Sequence, residues 1–242
     1  MTENAVKFKK GISDGLPICF GYFAVAFAFG IFAVESGMSV VQSLLISMTN
    51  VTSAGQLAAV PVIAGGGTLI ELAVAQFVIN LRYSLMSLSL SQKIDKKFNM
   101  LDRLVISFVN TDEVFAVSSS QKGSLCKAYM YGLIITPYFG WSAGTVIGAV
   151  AGNILPQVVI SSLGLAIYGM FIAIIVPETK KSRPVALCVL LAVALSCAFR
   201  YIPVLNSVSQ GFVIIICSVV ASAVFAVVAP IDTKNKEGET NE

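Results

Sequence analysis

Residues Leu104 to Val117 read LVISFVNTDEVFAV, an apolar run that carries four consecutive polar residues, Asn110-Thr111-Asp112-Glu113. Two adjacent carboxylates are costly inside a bilayer, so ionisable residues at such depth indicate a functional or paired site. A helix needs about 20 apolar residues to cross a bilayer, and this run is too short. We therefore predict that it enters and leaves the membrane on the same side, as a broken or re-entrant helix.

The whole chain has the composition of an integral membrane protein. It is 56% hydrophobic and 12% charged, with a mean hydropathy of +0.85, whereas soluble domains carry about 25% charged residues. Histidine is absent, which excludes histidine metal sites and Ser-His catalysis. The five cysteines include no C-x-x-C pair and are predicted to pack as small apolar residues. No metal, cofactor or nucleic-acid partner is predicted.

The apolar stretches divide into two groups. Two stretches are too polar or too short to cross the bilayer as one continuous helix, namely Val40 to Ala64 and Leu104 to Val117. The predicted fold class is an all-α, polytopic membrane helical bundle with six full spans and two polar re-entrant or broken segments, or seven or eight spans if these two cross. The six full spans are Leu16 to Val34, Thr68 to Leu90, Met130 to Ala151, Val158 to Val176, Val185 to Phe199 and Val208 to Ala229.

The loop charges support this division. If all eight segments crossed, the loop from Ser91 to Arg103, with its four basic residues, would be external, against the positive-inside rule. If the two polar segments do not cross, every basic cluster is cytoplasmic and only Arg200 is misplaced. We predict a cell-membrane protein with both termini cytoplasmic: a basic tail at 1–10, a single transporter domain at 11–230 and a disordered tail at 231–242.

The two polar segments resemble each other. Leu44 to Asn50 and Leu104 to Asn110 share four identities in seven positions, and on the predicted topology they enter from opposite sides. Inverted-repeat transporters have this relation, with discontinuous helices that meet at a site near the middle of the bilayer. The break in the first segment is expected near Gly55.

Five motifs carry a family resemblance: Gly11-x-x-x-Gly15-x-Pro17, Ser53-Ala54-Gly55-Gln56, Asn80-Leu81-Arg82-Tyr83, Thr111-Asp112-Glu113, and the glycine-rich helix after Trp141. Their order and spacing resemble the AzlC family of branched-chain amino-acid permeases over nearly the whole chain. The chain departs from the family pattern in having Thr52-Ser53 before Ala54 and a single tryptophan. The resemblance implies export of small neutral amino acids, together with a small AzlD-type membrane subunit.

A zwitterionic substrate requires partners for both of its charges, because an unpaired charge away from water costs several kcal/mol. Arg82 is the candidate for the carboxylate, or else an anchor that extends to the membrane surface. Asp112 or Glu113 is the candidate for the ammonium and the other of the two for a coupling proton. The alternative is that they form a structural ion pair with Arg82. The other candidate substrate-binding or coupling residues are polar and uncharged: Asn50, Thr52, Ser53, Gln56, Asn80, Asn110 and Thr111.

Two alternatives to a carrier remain open from the residues. An ion or small-solute channel would require a continuous polar stripe, whereas the polarity here is concentrated in two segments. An intramembrane enzyme has less support, since Asp112 is the only aspartate at depth and an aspartyl site needs two. Gly144, Gly148 and Gly152 form a small-residue stripe, which indicates helix packing within the chain or against a partner.

Overall fold

A computed structural model of the protein describes residues 2–156, 158–159, 169, 172, 175–177 and 179–229. These residues form nine α-helices and no β-strand beyond an isolated bridge between Ile94 and Leu125. In chain order they are α1 (Glu3–Glu35), α2 (Val40–Thr49), α3 (Ser53–Ala64), α4 (Leu69–Ser91), α5 (Met100–Phe108), α6 (Asp112–Ser120), α7 (Lys127–Gly152), α8 (Arg183–Tyr201) and α9 (Gln210–Val228).

The predicted all-α membrane fold is confirmed. Five of the described helices, α1, α4, α7, α8 and α9, are long and apolar enough to cross a bilayer, and each coincides with a predicted full span. The sixth predicted span, Val158 to Val176, falls mostly outside the described residues, as does the predicted tail at 231–242. The chain forms two compact units, Met1–Gly169 and Met170–Glu242. In the second unit α8 packs against α9, and Cys188 Sγ lies 3.6 Å from the Ala221 carbonyl oxygen.

The first unit is built on a close pair of parallel helices, α1 and α7. The two helices stay in register through glycines four residues apart: Gly140, Gly144 and Gly148 of α7 face Cys19, Phe23 and Phe27 of α1. Lipid tails are as apolar as leucine, so helices in a bilayer associate through close packing, which small residues permit. The predicted Gly144–Gly148–Gly152 stripe is therefore a packing surface for α1.

The second broken segment, α5–α6, begins and ends at the same end of this unit. Asp102, in the first turn of α5, pairs with Lys127 at the start of α7. Just after α6, Gln121 accepts a hydrogen bond from Lys10 of α1 at 2.6 Å, and Lys93, just after α4, binds the Ser119 carbonyl. We call this end, where these lysines gather, the basic end. The α5–α6 segment is thus a helical hairpin that rises from the basic end and returns to it.

The first broken segment, α2–α3, is a hairpin from the opposite end. It follows the far end of α1 and leads into α4, whose other end lies at the basic end. At about 1.5 Å per residue, the 23 residues of α4 separate its two ends by about 34 Å. A capping box between Ser39 and Gln42 starts α2, and Thr68 caps α4 through the Glu71 N–H. The two hairpins therefore point toward each other.

Two boundaries differ from the prediction. Helix α1 begins at Glu3, inside the predicted basic tail, where Glu3 and Lys7 form an i,i+4 ion pair at 2.6 Å. The predicted break near Gly55 is wrong: α2 ends at Thr49 and α3 begins at Ser53, so Gly55 lies in the first turn of α3. The chain leaves the helical conformation at Asn50, where φ is −133°, before a new helix can begin.

Candidate functional site

The two hairpins bring their breaks together. The α2–α3 break is the short extended segment from Asn50 to Thr52, and the α5–α6 break is the corresponding segment from Val109 to Thr111. In each break the asparagine follows the first half-helix, and a threonine in extended conformation precedes the second. The similarity between Leu44–Asn50 and Leu104–Asn110 thus corresponds to a shared local structure, a half-helix that ends at an asparagine.

Residues of both breaks line one cavity of about 230 Å³, which we call the inner cavity. Polar amides and hydroxyls form one part of its wall, and Val51 and Phe108 contribute apolar surface. A hydrogen bond at the end of α2 places the cavity about half-way along α7, since Tyr138 donates to the Met48 carbonyl at 3.2 Å. The complete lining is Thr49, Asn50, Val51, Thr52, Asn80, Tyr83, Ser107, Phe108, Asn110 and Thr111.

The first break is held against α4 by side-chain amides. Asn50 Nδ2 donates to Gln76 Oε1 at 2.8 Å, and Gln76 Nε2 donates to the Gly55 carbonyl at 2.8 Å. Thr52 Oγ1 donates to Asn80 Oδ1, also at 2.8 Å. At Gly55 a side chain would collide with Asn50 and Gln76, because a Cβ built there lies 2.7 Å from Gln76 Oε1 and 2.8 Å from Asn50 Nδ2. A larger residue at Gly55 would therefore require these two amide side chains to move.

The second break is held by α1 and α4. The Tyr22 hydroxyl of α1 donates its proton to Glu113 Oε2 at 2.5 Å and is also hydrogen-bonded to the Thr111 hydroxyl at 2.5 Å. Arg82 of α4 pairs with Asp112, with Nη2 2.8 Å from Oδ2. Both carboxylates lie in the first turn of α6, where the positive end of the helix dipole favours negative charge. The predicted alternative, an ion pair between Arg82 and Asp112, is present.

Helix α7 fixes the end of α2 from the side away from α4. The Trp141 indole donates to the Ser47 carbonyl at 3.1 Å, and the Ser47 and Thr145 hydroxyls are 2.6 Å apart. These three residues are fully buried, so each of their polar groups needs a partner inside the protein. Trp141 also packs edge-on against Tyr22, with ring centroids 5.1 Å apart. The tryptophan thus contacts elements that hold both breaks.

The structure divides the predicted site residues into three groups. Asn50, Thr52, Asn80, Asn110 and Thr111 line the inner cavity. The charged residues Arg82, Asp112 and Glu113 lie beside it and are engaged with each other or with Tyr22. Ser53 and Gln56 lie in α3 outside the lining of the cavity, and Gln56 is fully buried with both amide atoms lacking a partner among the described residues.

Several residues of the site were not predicted. They are the supporting groups Tyr22, Gln76, Tyr83, Ser87, Trp141 and Thr145. Gln76 could have been predicted from the sequence, because it lies four residues before the predicted site residue Asn80 and therefore on the same face of the helix. To predict the roles of Tyr22 and Trp141, one must know how α1 and α7 are aligned along each other. The local sequence around these residues does not give that alignment.

The chain resembles known proteins along most of its length. The sequence profile of the family described as "AzlC protein" matches residues 17–155, which include both breaks, all of α7 and the part of α1 from Pro17 onward. A protein of Archaeoglobus fulgidus named "Uncharacterized membrane protein" is 32% identical over 180 residues, covering 74% of this chain and 78% of the relative. The "Inner membrane protein YgaZ" of Escherichia coli strain K12 is 29% identical over 189 residues, covering 75% and 76%. No solved structure matches the chain.

The match and the fold agree. The matched region contains three of the five described helices that can cross a bilayer, and the relatives are named as membrane proteins. This similarity suggests a membrane transporter rather than an enzyme as the class of function. The protein is a helical membrane protein that belongs to the AzlC family.

Proposed function

We propose that this protein is a proton-coupled carrier that exports branched-chain or other small neutral amino acids, together with a small AzlD-type membrane subunit. The observation that carries the proposal is the convergence of two helix breaks on one small cavity with polar and apolar walls. Carriers with discontinuous helices bind their substrates at such points. The cavity of about 230 Å³ is smaller than the ~300–1,000 Å³ typical for drug-sized ligands, which suits one small molecule.

The start of α3 is suited to the carboxylate of an amino acid. Its N-cap residue, Thr52, makes no side-chain capping bond, and its first turn contains no acidic residue. The free backbone N–H groups and the helix dipole at such an end attract anions. The start of α6 differs, because Asp112 and Glu113 already supply negative charge there. Of the two N-termini at the cavity, that of α3 is therefore the one open to a substrate carboxylate.

The second break offers acceptors for the substrate ammonium. Asn110 is 3% exposed, and its Oδ1 has no hydrogen-bond partner among the described residues. A buried acceptor without a partner costs about 1–3 kcal/mol, which a bound ammonium would offset. Helices α2 and α5 both end at the same cavity, so the negative C-terminal ends of their dipoles lie there. Val51 and Phe108 remain to receive a branched apolar side chain.

Glu113 is our candidate for the coupling proton. It accepts a hydrogen bond from the Tyr22 hydroxyl, whereas its neighbour Asp112 is paired with Arg82. Of the two carboxylates, Glu113 is the one that forms no ion pair with a described residue, and its assignment rests on this difference. We further propose a cell-membrane location with both termini in the cytoplasm, because the basic end gathers loop lysines that the positive-inside rule assigns to that side.

Counterflow tests the proposal. Proteoliposomes containing the protein and an AzlD-type subunit are loaded with unlabelled leucine and diluted into labelled leucine. We expect a transient accumulation of label above equilibrium, competition by valine and isoleucine, and none by glutamate or lysine, which carry an additional charge. A channel would let the label equilibrate without an overshoot, and this result would contradict a carrier. An imposed pH gradient that leaves the rate unchanged would contradict proton coupling.

The partner is tested in the same assay. We expect proteoliposomes that contain this chain alone to show little or no counterflow, and addition of the AzlD-type subunit to restore it. An unrelated small membrane protein of similar length serves as the control and should restore nothing. Full counterflow by this chain alone would end the two-subunit proposal while leaving the carrier proposal in place.

A further inference from the structure

A second cavity, which we call the outer cavity, lies between the inner cavity and the basic end. It has a volume of about 190 Å³ and is formed by the last turns of α4, the following loop and α5. Hydroxyl groups of Ser87, Ser91 and Ser107 lie in its wall among apolar side chains. The remaining lining residues are Leu90, Ile94, Phe98, Arg103, Leu104, Ile106 and Asn110.

The outer and inner cavities share two residues, Ser107 and Asn110. Asn110 Nδ2 donates to Ser87 Oγ at 3.2 Å, so this contact joins α4 to the second break at the boundary. The Oδ1 of the same side chain is buried without a partner among the described residues. Two spaces large enough for small molecules are thus separated by an asparagine that is only partly satisfied.

An arginine without an acidic partner among the described residues lines the outer cavity. Arg103 lines the cavity, and no described acidic residue lies within ion-pair distance of it. Its neighbour Asp102 is turned to Lys127 and Tyr131 instead. Arg82, the arginine favoured by the sequence, is neutralised by Asp112 and lines neither of the two cavities. A guanidinium binds a carboxylate through two parallel hydrogen bonds, and of the two arginines only Arg103, an exposed residue, lines a cavity.

We propose that the outer cavity is a second binding site for the amino acid, in which Arg103 holds the substrate carboxylate before Asn110 admits the molecule to the inner cavity. This inference rests on the proposed function for its substrate class. The apolar walls at Leu90 and Ile94 accept the side chain, and Arg103 supplies the charge. The ammonium then reaches the free Oδ1 of Asn110, while Nδ2 of the same amide donates to Ser87.

A simpler explanation of Arg103 is that it only contributes to the positive charge of cytoplasmic loops. Lys96 provides the matched control, because it is an exposed basic residue of the same region that lines neither of the two cavities. Loss of either charge changes the loop equally, whereas only loss of Arg103 removes a group from the outer cavity. A response specific to Arg103 therefore separates substrate binding from membrane orientation.

The experiment is substrate protection of a single cysteine. Ser91, which lines only the outer cavity, is replaced by cysteine in a background without the five native cysteines, and inside-out vesicles are labelled with a membrane-impermeant methanethiosulfonate. We expect leucine to slow labelling and leucinol, which lacks the carboxylate, to have little effect. Since hydrogen bonds to charged groups are about twice as strong as neutral ones, Arg103→Ala should raise the half-protecting leucine concentration roughly tenfold or more.

Two comparisons complete the test. Arg103→Lys retains the charge without the fork and should give intermediate protection, whereas Lys96→Ala should leave protection unchanged. Labelling of Ser91→Cys without leucine reports that each variant is folded in the membrane. The outer site would be contradicted if leucine still protected the cysteine in Arg103→Ala. It would also be contradicted if leucine gave no protection while leucine counterflow persisted. Either result would leave the carrier proposal in place. Absence of both protection and counterflow would overturn the carrier and the outer site together.

Discussion

Asp112→Asn is expected to abolish amino-acid counterflow while the protein remains in the membrane in normal amount. The substitution removes the negative charge that faces Arg82 at 2.8 Å, and an unpaired arginine near the centre of a transmembrane helix costs about 2.5–3.5 kcal/mol on insertion scales. Arg82 would then turn away or draw water, and α6 would lose its link to α4 beside the inner cavity. We expect at least a roughly tenfold lower counterflow rate, and a rate near wild type would refute this role.

The double variant Arg82→Gln/Asp112→Asn separates the two contributions of this ion pair. If Asp112 acts by neutralising and positioning Arg82, removal of both charges should restore part of the rate lost in Asp112→Asn. If the carboxylate has a further role in transport, the double variant stays inactive. Glu113→Gln, which leaves the ion pair intact, is the companion variant. It should lower the response to an imposed pH gradient more than it lowers leucine exchange at constant pH.

Gly148→Ala should have the largest effect on stability. A Cβ at this position would lie closer than 3.0 Å to backbone atoms of Phe27, and a helix backbone cannot yield as a side chain can. The α1–α7 pair would have to separate along its length, with loss of the close packing that holds helices together in lipid. We expect a strong fall in the midpoint of thermal unfolding in detergent and in the yield of monodisperse protein.

Gly21→Ala is the matched control for this prediction. Gly21 lies in α1 of the same pair, but a Cβ built there meets no atom within 4 Å. Alanine is favoured over glycine inside a helix by about 1 kcal/mol, so this variant should be as stable as the wild type or slightly more stable. Equal midpoints for the Gly148 and Gly21 variants would show that close backbone contact is not what holds α1 to α7.

The two helical hairpins of the first unit could be predicted from the sequence. Loop lysines and the short length of Leu104 to Val117 predicted two polar segments that do not cross simply, and both are helical hairpins in the structure. The two ends of the α5–α6 hairpin lie together at the basic end, held by ion pairs and hydrogen bonds of Lys10, Lys93 and Lys127, and the side of the membrane that this end faces stays a prediction. The distribution of basic residues among the loops indicates which segment ends lie on the same side, and this distribution can be read directly from the sequence.

The position of the first break could not be predicted from composition in the same way. Gly55 attracted the prediction because glycine weakens helices, but it lies in the first turn of α3, where its carbonyl accepts a hydrogen bond from Gln76. The break lies instead at Asn50 to Thr52, where Gln76 and Asn80 of another helix stabilise the extended chain. These partners are 26 and 28 residues away in sequence. Tertiary contacts therefore determine the position of the break.

The pairing of charges was only half foreseen. Both arginine and aspartate were recognised as site residues, yet the structure satisfies Arg82 with Asp112 rather than leaving it for a ligand. Tyr22 as the partner of Glu113 depends on the rotation of α1, which is set by glycine contacts with α7 along the whole interface. The ion pair of Arg82 with Asp112 was one of the two predicted alternatives, whereas Tyr22 as the partner of Glu113 is known only once helix register is known.

The parallel packing of α1 and α7 limits how such a carrier can change its exposure from one side of the membrane to the other. Glycines at every fourth position place backbone against backbone, so neither helix can slide past the other without several collisions at once. The hairpins are held mainly by individual side-chain bonds, such as those of Asn110 and Trp141, which can exchange one at a time. We therefore expect the α1–α7 pair to stay still during a transport cycle, and the tips of the two hairpins to be the parts that move.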